Sequence, residues 1–259
     1  MEQRWANQIC VVTGASRGIG RATALAFAEQ GAKLVVHGRK PSKGMDELLQ
    51  QVRAMGNECS EVYCDYGELP DFEQLVDAAW QPFGRVDHWI NNAGGDVLTG
   101  PWADRSFAEK LNYLWQTDVV SSLFLTRLAG SRMQQQELDT PDHRFSIVNL
   151  GWDQAEQGMA GEAGELFSTT KGAIMSMTRS LAQSYAPRVR VNCLAPGWIQ
   201  TEWGCGTTDY WDQRARDEAL MGRWGRPEDV AAAALFLCGH PFISGHILPV
   251  NGGFKYGKE

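Results

Sequence analysis

At 259 residues, with 43% hydrophobic and 21% charged side chains, the chain can bury the core of one α/β domain and has the balance of a soluble globular protein. Its longest apolar run, Val230 to Cys238, is far too short to cross a bilayer, and Met1 to Trp5 lacks the basic-then-apolar layout of a signal peptide, so a cytoplasmic protein is expected. A net charge of −7 with dispersed basic residues gives no nucleic-acid footprint, and six cysteines without a C-x-x-C pair or a tight histidine cluster argue against a zinc site or a disulfide framework.

Strand and helix signals alternate along the chain. Ile9 to Val12 reads as a short apolar strand and Arg17 to Gln30 as the helix after it. Lys33 to His37 forms a second strand; Leu48, Val52 and Met55 then fall at helical spacing, closed by Gly56. Glu61 to Cys64 is a third strand, Phe72, Val76 and Ala79 mark a helix, and Val86 to Ile90 is the fourth strand. One long helix is predicted over Ser106 to Gln135, followed by a fifth strand at Phe145 to Leu150. Ile174, Met177 and Leu181 share a helix face, Val189, Val191 and Cys193 alternate as a sixth strand, Pro227 opens a last helix, and His246 to Val250 is the seventh strand.

Repeated units of this length predict a single doubly wound Rossmann domain over residues 1–259, with a seven-stranded parallel sheet flanked by helices. The irregular stretch from Trp198 to Arg223, rich in Trp, Gly and Thr, reads as a substrate lid.

Thr13-Gly14-Ala15-Ser16-Arg17-Gly18-Ile19-Gly20 lies between the first strand and the first helix. Its glycines permit a tight turn and let the backbone approach a pyrophosphate held on the helix N-terminus. The second strand ends His37-Gly38-Arg39-Lys40, with no acid for a ribose 2′-hydroxyl. Arg17 and Arg39 are the candidates to hold a 2′-phosphate, which favours NADP(H) over NAD(H).

With these motifs the chain resembles the short-chain dehydrogenase/reductase family, ketoacyl-reductase-like branch, over essentially its whole length. The glycine turn matches T-G-x-x-x-G-x-G, Asp65 matches the acid that contacts adenine, and Asn91-Asn92-Ala93-Gly94 matches the N-N-A-G segment. Pro196-Gly197-Trp198-Ile199-Gln200-Thr201, Gly225 to Val230 and Asn251-Gly252-Gly253 match the later signatures. The cofactor site so implied takes Gly14, Ser16, Arg17, Gly18, Ile19 and Gly20 from the turn and Arg39 from the second strand's end. It adds Asp65 and Tyr66 after the third strand, and Asn91, Ala93 and Gly94 after the fourth. Lys171, Pro196, Gly197, Ile199 and Thr201 complete it.

The family's catalytic asparagine, serine, tyrosine and lysine match in one position only. Phe167-Ser168-Thr169-Thr170-Lys171 keeps the lysine and puts phenylalanine where the tyrosine belongs; Asp118 aligns with the asparagine. The strand phrase places Trp152 at the serine, whereas counting back from Phe167 lands on Gln154.

Three readings follow. A reductase of conjugated carbon–carbon double bonds is similar to some dienoyl-CoA reductases of the family, with Asp118 and Lys171 retained. Asp118, among apolar neighbours, either has its pKa raised and donates or orients a proton, or merely pairs with Lys171 or caps a helix kink. A carbonyl reductase would draw its proton from Asp153, Glu156, Glu162 or Glu165. A non-enzyme would bind NADP(H) as a redox sensor or assembly subunit. Trp152, Trp198, Trp203, Tyr210 and Trp211 suit a hydrophobic or aromatic small-molecule substrate, or simply fill space. The resemblance also implies a homodimer or homotetramer through the Ser106–Gln135 and Thr169–Ala186 helices.

Overall fold

The strands are apolar because both faces of the sheet are covered, and their side chains alternate between two cores. In β1 (Ile9–Val12), Cys10 and Val12 join one core while Ile9 and Val11 join the other. β2 (Lys33–Gly38) divides the same way, Leu34 and Val36 against Val35. The computed structural model describes residues 5–68, 70–140, 144–202 and 206–255, and its seven strands form one parallel sheet of order β3-β2-β1-β4-β5-β6-β7. The remaining strands are β3 (Cys59–Tyr63), β4 (His88–Asn91), β5 (Phe145–Leu150), β6 (Val189–Pro196) and β7 (Ile247–Val250).

One face carries α1 (Gly18–Glu29), α2 (Lys43–Ala54) and the final helix, Pro227–Gly239. The other carries α3 (Phe72–Trp80), α5 (Ser121–Gln135) and α6 (Glu162–Tyr185). Strand order reverses between β1 and β4, so the crevice for a ligand lies at the carboxyl ends of these two strands. No helix of the described residues is long and apolar enough to cross a membrane.

Two expectations need correction. The helix predicted over Ser106 to Gln135 is divided: α4 (Phe107–Leu114) starts after Ser106, which caps it, and a π-helical turn, Trp115–Val120, separates it from α5. The Thr117 hydroxyl donates to the Tyr113 carbonyl (3.0 Å) and the Ser121 hydroxyl to the Thr117 carbonyl (2.6 Å), so side chains bond the helix's own backbone on both sides of Asp118. The stretch from Trp198 to Arg223 is also less irregular than expected, because Asp209–Glu218 is a helix, here α7. The final helix is then α8 (Pro227–Gly239).

Arg190 of β6 is buried at the carboxyl end of α8, and burial lowers its pKa from the usual guanidinium range. It donates to the carbonyls of Leu237 (2.7 Å) and Cys238 (2.7 Å), which the helix cannot satisfy itself, and to that of Ile243 (3.1 Å) beyond the helix end. Arg190→Ala should therefore lower unfolding free energy by about 3 kcal/mol in urea titration, the cost of orphaning the two helix-end carbonyls. A change within experimental scatter would show that these groups find other partners.

Candidate functional site

The glycine turn is held by β4. Thr13 Oγ1 accepts from the amides of Asn92 (2.9 Å) and Ala93 (3.0 Å), and Asn92 Nδ2 donates to the Thr13 carbonyl (2.9 Å) and the Gly14 carbonyl (3.2 Å). Gly14 has φ +64°, and a Cβ there would lie 2.8 Å from Ala93 Cα; one at Gly20 would lie 2.3 Å from the Gly14 carbonyl oxygen. Neither position admits a side chain.

Arg17 is the N-cap of α1 and makes no capping bond, whereas Ser42, Asp71 and Ser106 cap α2, α3 and α4. The first-turn amides of α1 thus face the crevice uncapped, which fits a pyrophosphate. Asn91 differs from the other residues of its segment. Its Nδ2 donates to Thr126 and Asn149 and its Oδ1 accepts from Trp89, so its side chain supports the sheet from inside rather than facing the crevice.

At the ribose end, His37 is buried beneath the turn. Its Nε2–H donates to the Cys64 carbonyl (3.0 Å), leaving Nδ1 to accept from the Gly14 amide (3.4 Å). The Tyr66 hydroxyl lies 3.4 Å from the same nitrogen, with the two rings stacked at 4.8 Å. Burial lowers the His37 pKa to about 4, keeping the ring neutral so that Nδ1 can accept. No motif points to His37; its one sequence signal is a polar ring at the end of the apolar Leu34–Val36 run. Tyr66 accordingly turns its ring inward, under the crevice floor.

Both arginines expected at the 2′-position have carboxylate partners. Arg17 pairs with Glu202 at 2.7 Å, with side chains 66% and 68% exposed, and Arg39 Nε lies 3.8 Å from Asp65. The Thr201 methyl packs against the Gly18 position, joining the segment after β6 to the turn.

Lys171 lies on α6 one turn after Phe167, and its ammonium is 2.7 Å from Asp118 Oδ2. Asp118, on the π-helical turn and buried, also accepts from the Gly95 amide (2.6 Å) through Oδ1, with the Thr117 hydroxyl 2.9 Å from the same oxygen, while Gly94 packs against its carboxylate. Asp118 thus pairs with Lys171 at a break in the helix. Trp152 and Phe167 meet edge to face at 6.3 Å, with Phe167 also packed on the Val97, Leu114 and Leu166 cluster. Gln154 is buried elsewhere: its Nε2 donates to Glu218 of α7 (3.3 Å). The Ser168 hydroxyl, beside Phe167, is buried without a hydrogen-bond partner.

The described aromatics of the 198–223 stretch pack mostly on one another. Trp198 and Trp211 approach to 5.6 Å with the Arg214 guanidinium over both rings. Trp198 Nε1 and Arg214 Nε both donate to Glu218, at 2.7 and 2.6 Å. Tyr210 is exposed; Trp203 lies outside the described residues.

The family model described as Enoyl-(Acyl carrier protein) reductase matches residues 14–255. The chain is 31% identical to the 3-oxoacyl-[acyl-carrier-protein] reductase of Bos taurus, covering 96% of this chain and 98% of that one. It is 28% identical to the enzyme of that name from Thermotoga maritima, over 96% and 98%. A 7α-hydroxysteroid dehydrogenase solved with NADH and 7-oxo glycochenodeoxycholic acid superposes with a TM-score of 0.85 at 27% identity, covering 98% of this chain and 96% of that one. A putative short-chain alcohol dehydrogenase from Sinorhizobium meliloti gives 0.84 at 27%, covering 98% of both. The chain belongs to the short-chain dehydrogenase/reductase family, whose members are oxidoreductases that bind NAD(H) or NADP(H).

Of the four acids between β5 and Lys171, only Asp153 is buried, at 8% exposure. Glu156 pairs with Arg179 (3.2 Å), Glu162 with Lys110 (2.8 Å), and Glu165 is exposed. Asp153 Oδ2 accepts from Asn251 Nδ2 (3.0 Å) and packs behind Gly197, while Oδ1 has no hydrogen-bond partner. Burial raises its pKa from 3.8 to about 6. A carboxyl raised on folding favours the folded state while protonated, so its contribution is full below pH ~4 and is lost as pH rises through ~6, on the order of 3 kcal/mol. Asp153→Asn should be the more stable protein at pH ~7.5, with the difference from wild type shrinking from pH ~6 to ~4 in urea titrations. A difference independent of pH would mean that Asp153 does not titrate in that window.

Proposed function

We propose that this chain is an NADP(H)-dependent oxidoreductase that reduces a carbon–carbon double bond conjugated to a carbonyl, on a hydrophobic or aromatic substrate. The observation that carries the reading is the Lys171–Asp118 pair set in a helix break on the Phe167 side of the site, where Phe167 and Trp152 are rings with no oxygen to give a proton. Ketone reduction needs a proton at the carbonyl oxygen, and a positioned acid is worth about 10²–10⁴ in rate. Conjugate reduction moves the charge to an enolate oxygen and lets water protonate the α-carbon instead.

When bound, the nicotinamide dinucleotide supplies the hydride. The α1 amides would hold its pyrophosphate, and Arg17 and Arg39 would take the 2′-phosphate. Lys171 has three N–H donors and lies 2.7 Å from Asp118 Oδ2, and its ammonium would also serve the nicotinamide ribose or the enolate oxygen. The segment 198–223 serves as lid, and the subunits associate as a homodimer or homotetramer through α4–α5 and α6.

A second reading is favoured by one observation. Asp153, next to Trp152 with a pKa of about 6, is an acid able to protonate a carbonyl, and the relatives above are 3-oxoacyl reductases. Titration with NADPH and NADH, then assays on ketones and enoyl thioesters, separates the possibilities. The expected result is NADPH bound at least about tenfold more tightly, enoyl turnover without ketone turnover, and a loss of about 10²-fold or more in Asp118→Asn. Phe167→Tyr should introduce ketone reduction. Ketone turnover by the wild type would favour the second reading, NADPH binding with no turnover a redox-sensing or structural role, and tighter NADH binding would remove Arg17 and Arg39 as phosphate ligands.

A further inference from the structure

We propose that Glu218 is the positioning residue of the substrate lid, and that it fixes the Trp198 ring as an apolar wall of the substrate site. The inference rests on the reading of segment 198–223 as a lid over a hydrophobic substrate. It deepens that reading by naming the side chain that anchors the lid and the surface the lid presents.

Three segments meet on this one carboxylate. Gln154 stands on the turn Asp153–Ala155 after β5, and Trp198 lies two residues beyond the end of β6. Both therefore sit where the carboxyl ends of the strands open on the crevice. Gln154 Nε2 and Trp198 Nε1 donate to the same oxygen, Glu218 Oε2, at 3.3 and 2.7 Å. The other oxygen accepts from Nε of Arg214, one turn earlier on α7, at 2.6 Å. A carboxylate has acceptor sites for all three donors, and hydrogen bonds to a charged acceptor are stronger than neutral ones.

Backbone bonds pin the same end of α7. The Glu218 carbonyl accepts from the Lys255 amide (3.0 Å), and the amides of Leu220 and Met221 donate to the carbonyls of Gly253 (3.1 Å) and Gly252 (3.0 Å). At the other end Thr208 makes no side-chain capping bond and the Tyr210 ring is exposed. The helix is thus held at its carboxyl end, and Glu218 is the side chain through which that end grips the segments after β5 and β6.

The Trp198 indole has a single N–H, and Glu218 takes it. What the ring offers to anything else is apolar surface. It packs edge to face on Trp224 at 5.9 Å, a buried ring whose own N–H goes to Asp212 (2.8 Å). Trp198 itself stays half-buried, so surface remains accessible beside the end of β6. A substrate under the lid meets carbon there, and the ring keeps its place only while Glu218 holds it.

The test is calorimetric titration of the full chain, with NADPH in excess, by decanoyl-CoA and butanoyl-CoA. These thioesters share their polar part and have no double bond to reduce, so their difference reports the apolar chain alone. The wild type should bind decanoyl-CoA at least about tenfold more tightly. Glu218→Gln and Trp198→Phe, the second keeping an aromatic face and removing the N–H, should each weaken decanoyl-CoA about fivefold to tenfold. Both should leave butanoyl-CoA and NADPH within about twofold, and the double variant should lose no more than either alone. Equal weakening of the two thioesters, additive losses, or a lower Tm with both affinities unchanged overturns the inference. A wild type that binds the two thioesters alike also overturns it, and leaves the Lys171–Asp118 chemistry untouched. Because the titrations involve no turnover, a wild type that reduces ketones would remove the conjugate-reduction reading without altering their outcome.

Discussion

The carboxyl ends of β1 and β4 approach backbone to backbone, and the Thr13 hydroxyl is what holds them there, accepting two amides from the segment after β4. Gly14 is confined by that approach, with Ala93 Cα where its side chain would begin. From this contact the direction of α1 follows, and with it the aim of its uncapped amides. His37 braces the same turn from below, as a neutral ring whose burial keeps Nδ1 free to accept the Gly14 amide. The crevice floor is thus finished inside the fold, and a bound dinucleotide adds contacts to an existing shape.

The buried polar groups between the sheet and α5–α6 serve the same end. Asn91, Asn149, Thr126 and Thr178 form a chain of hydrogen bonds across β4, β5, α5 and α6. Because an unpaired member would cost free energy in the core, the network fixes how α6 sits on the sheet. α6 carries both Phe167 and Lys171, so the placement of these two residues is set by polar groups elsewhere on the helix and sheet.

What the sequence made legible follows from which interactions are local. The strands could be read because burial on both faces makes them short continuous apolar runs, as at Leu34–Val36 and Ile147–Val148. The glycine turn could be read because its requirements act on neighbouring residues. The break at Asp118 and its pairing with Lys171 were open in the sequence only as one alternative for that residue, because they are decided by Lys171 of a different helix and by the Gly95 amide. The Glu202 and Asp65 partners of the two arginines were hidden for the same reason. Where Trp152 and Gln154 lie also needed geometry: the ring meets Phe167, while the amide is committed to Glu218 of α7. That helix itself, Asp209–Glu218, is polar enough to pass for loop in a stretch of scattered aromatics.

The Lys171–Asp118 pair limits the chemistry available at this end of the crevice. Two opposite charges held in a largely buried place are tolerable only together, since removing one leaves an uncompensated charge costing about 3–5 kcal/mol. They therefore act as one unit with little net charge, and its exposed side is the ammonium, because the carboxylate is enclosed by Gly94, the Gly95 amide and Thr117. A unit of that kind can orient hydroxyls and stabilise a developing oxyanion without surrendering a proton. On the proposed reading that suffices, because the proton of conjugate reduction goes to carbon, where solvent water can deliver it.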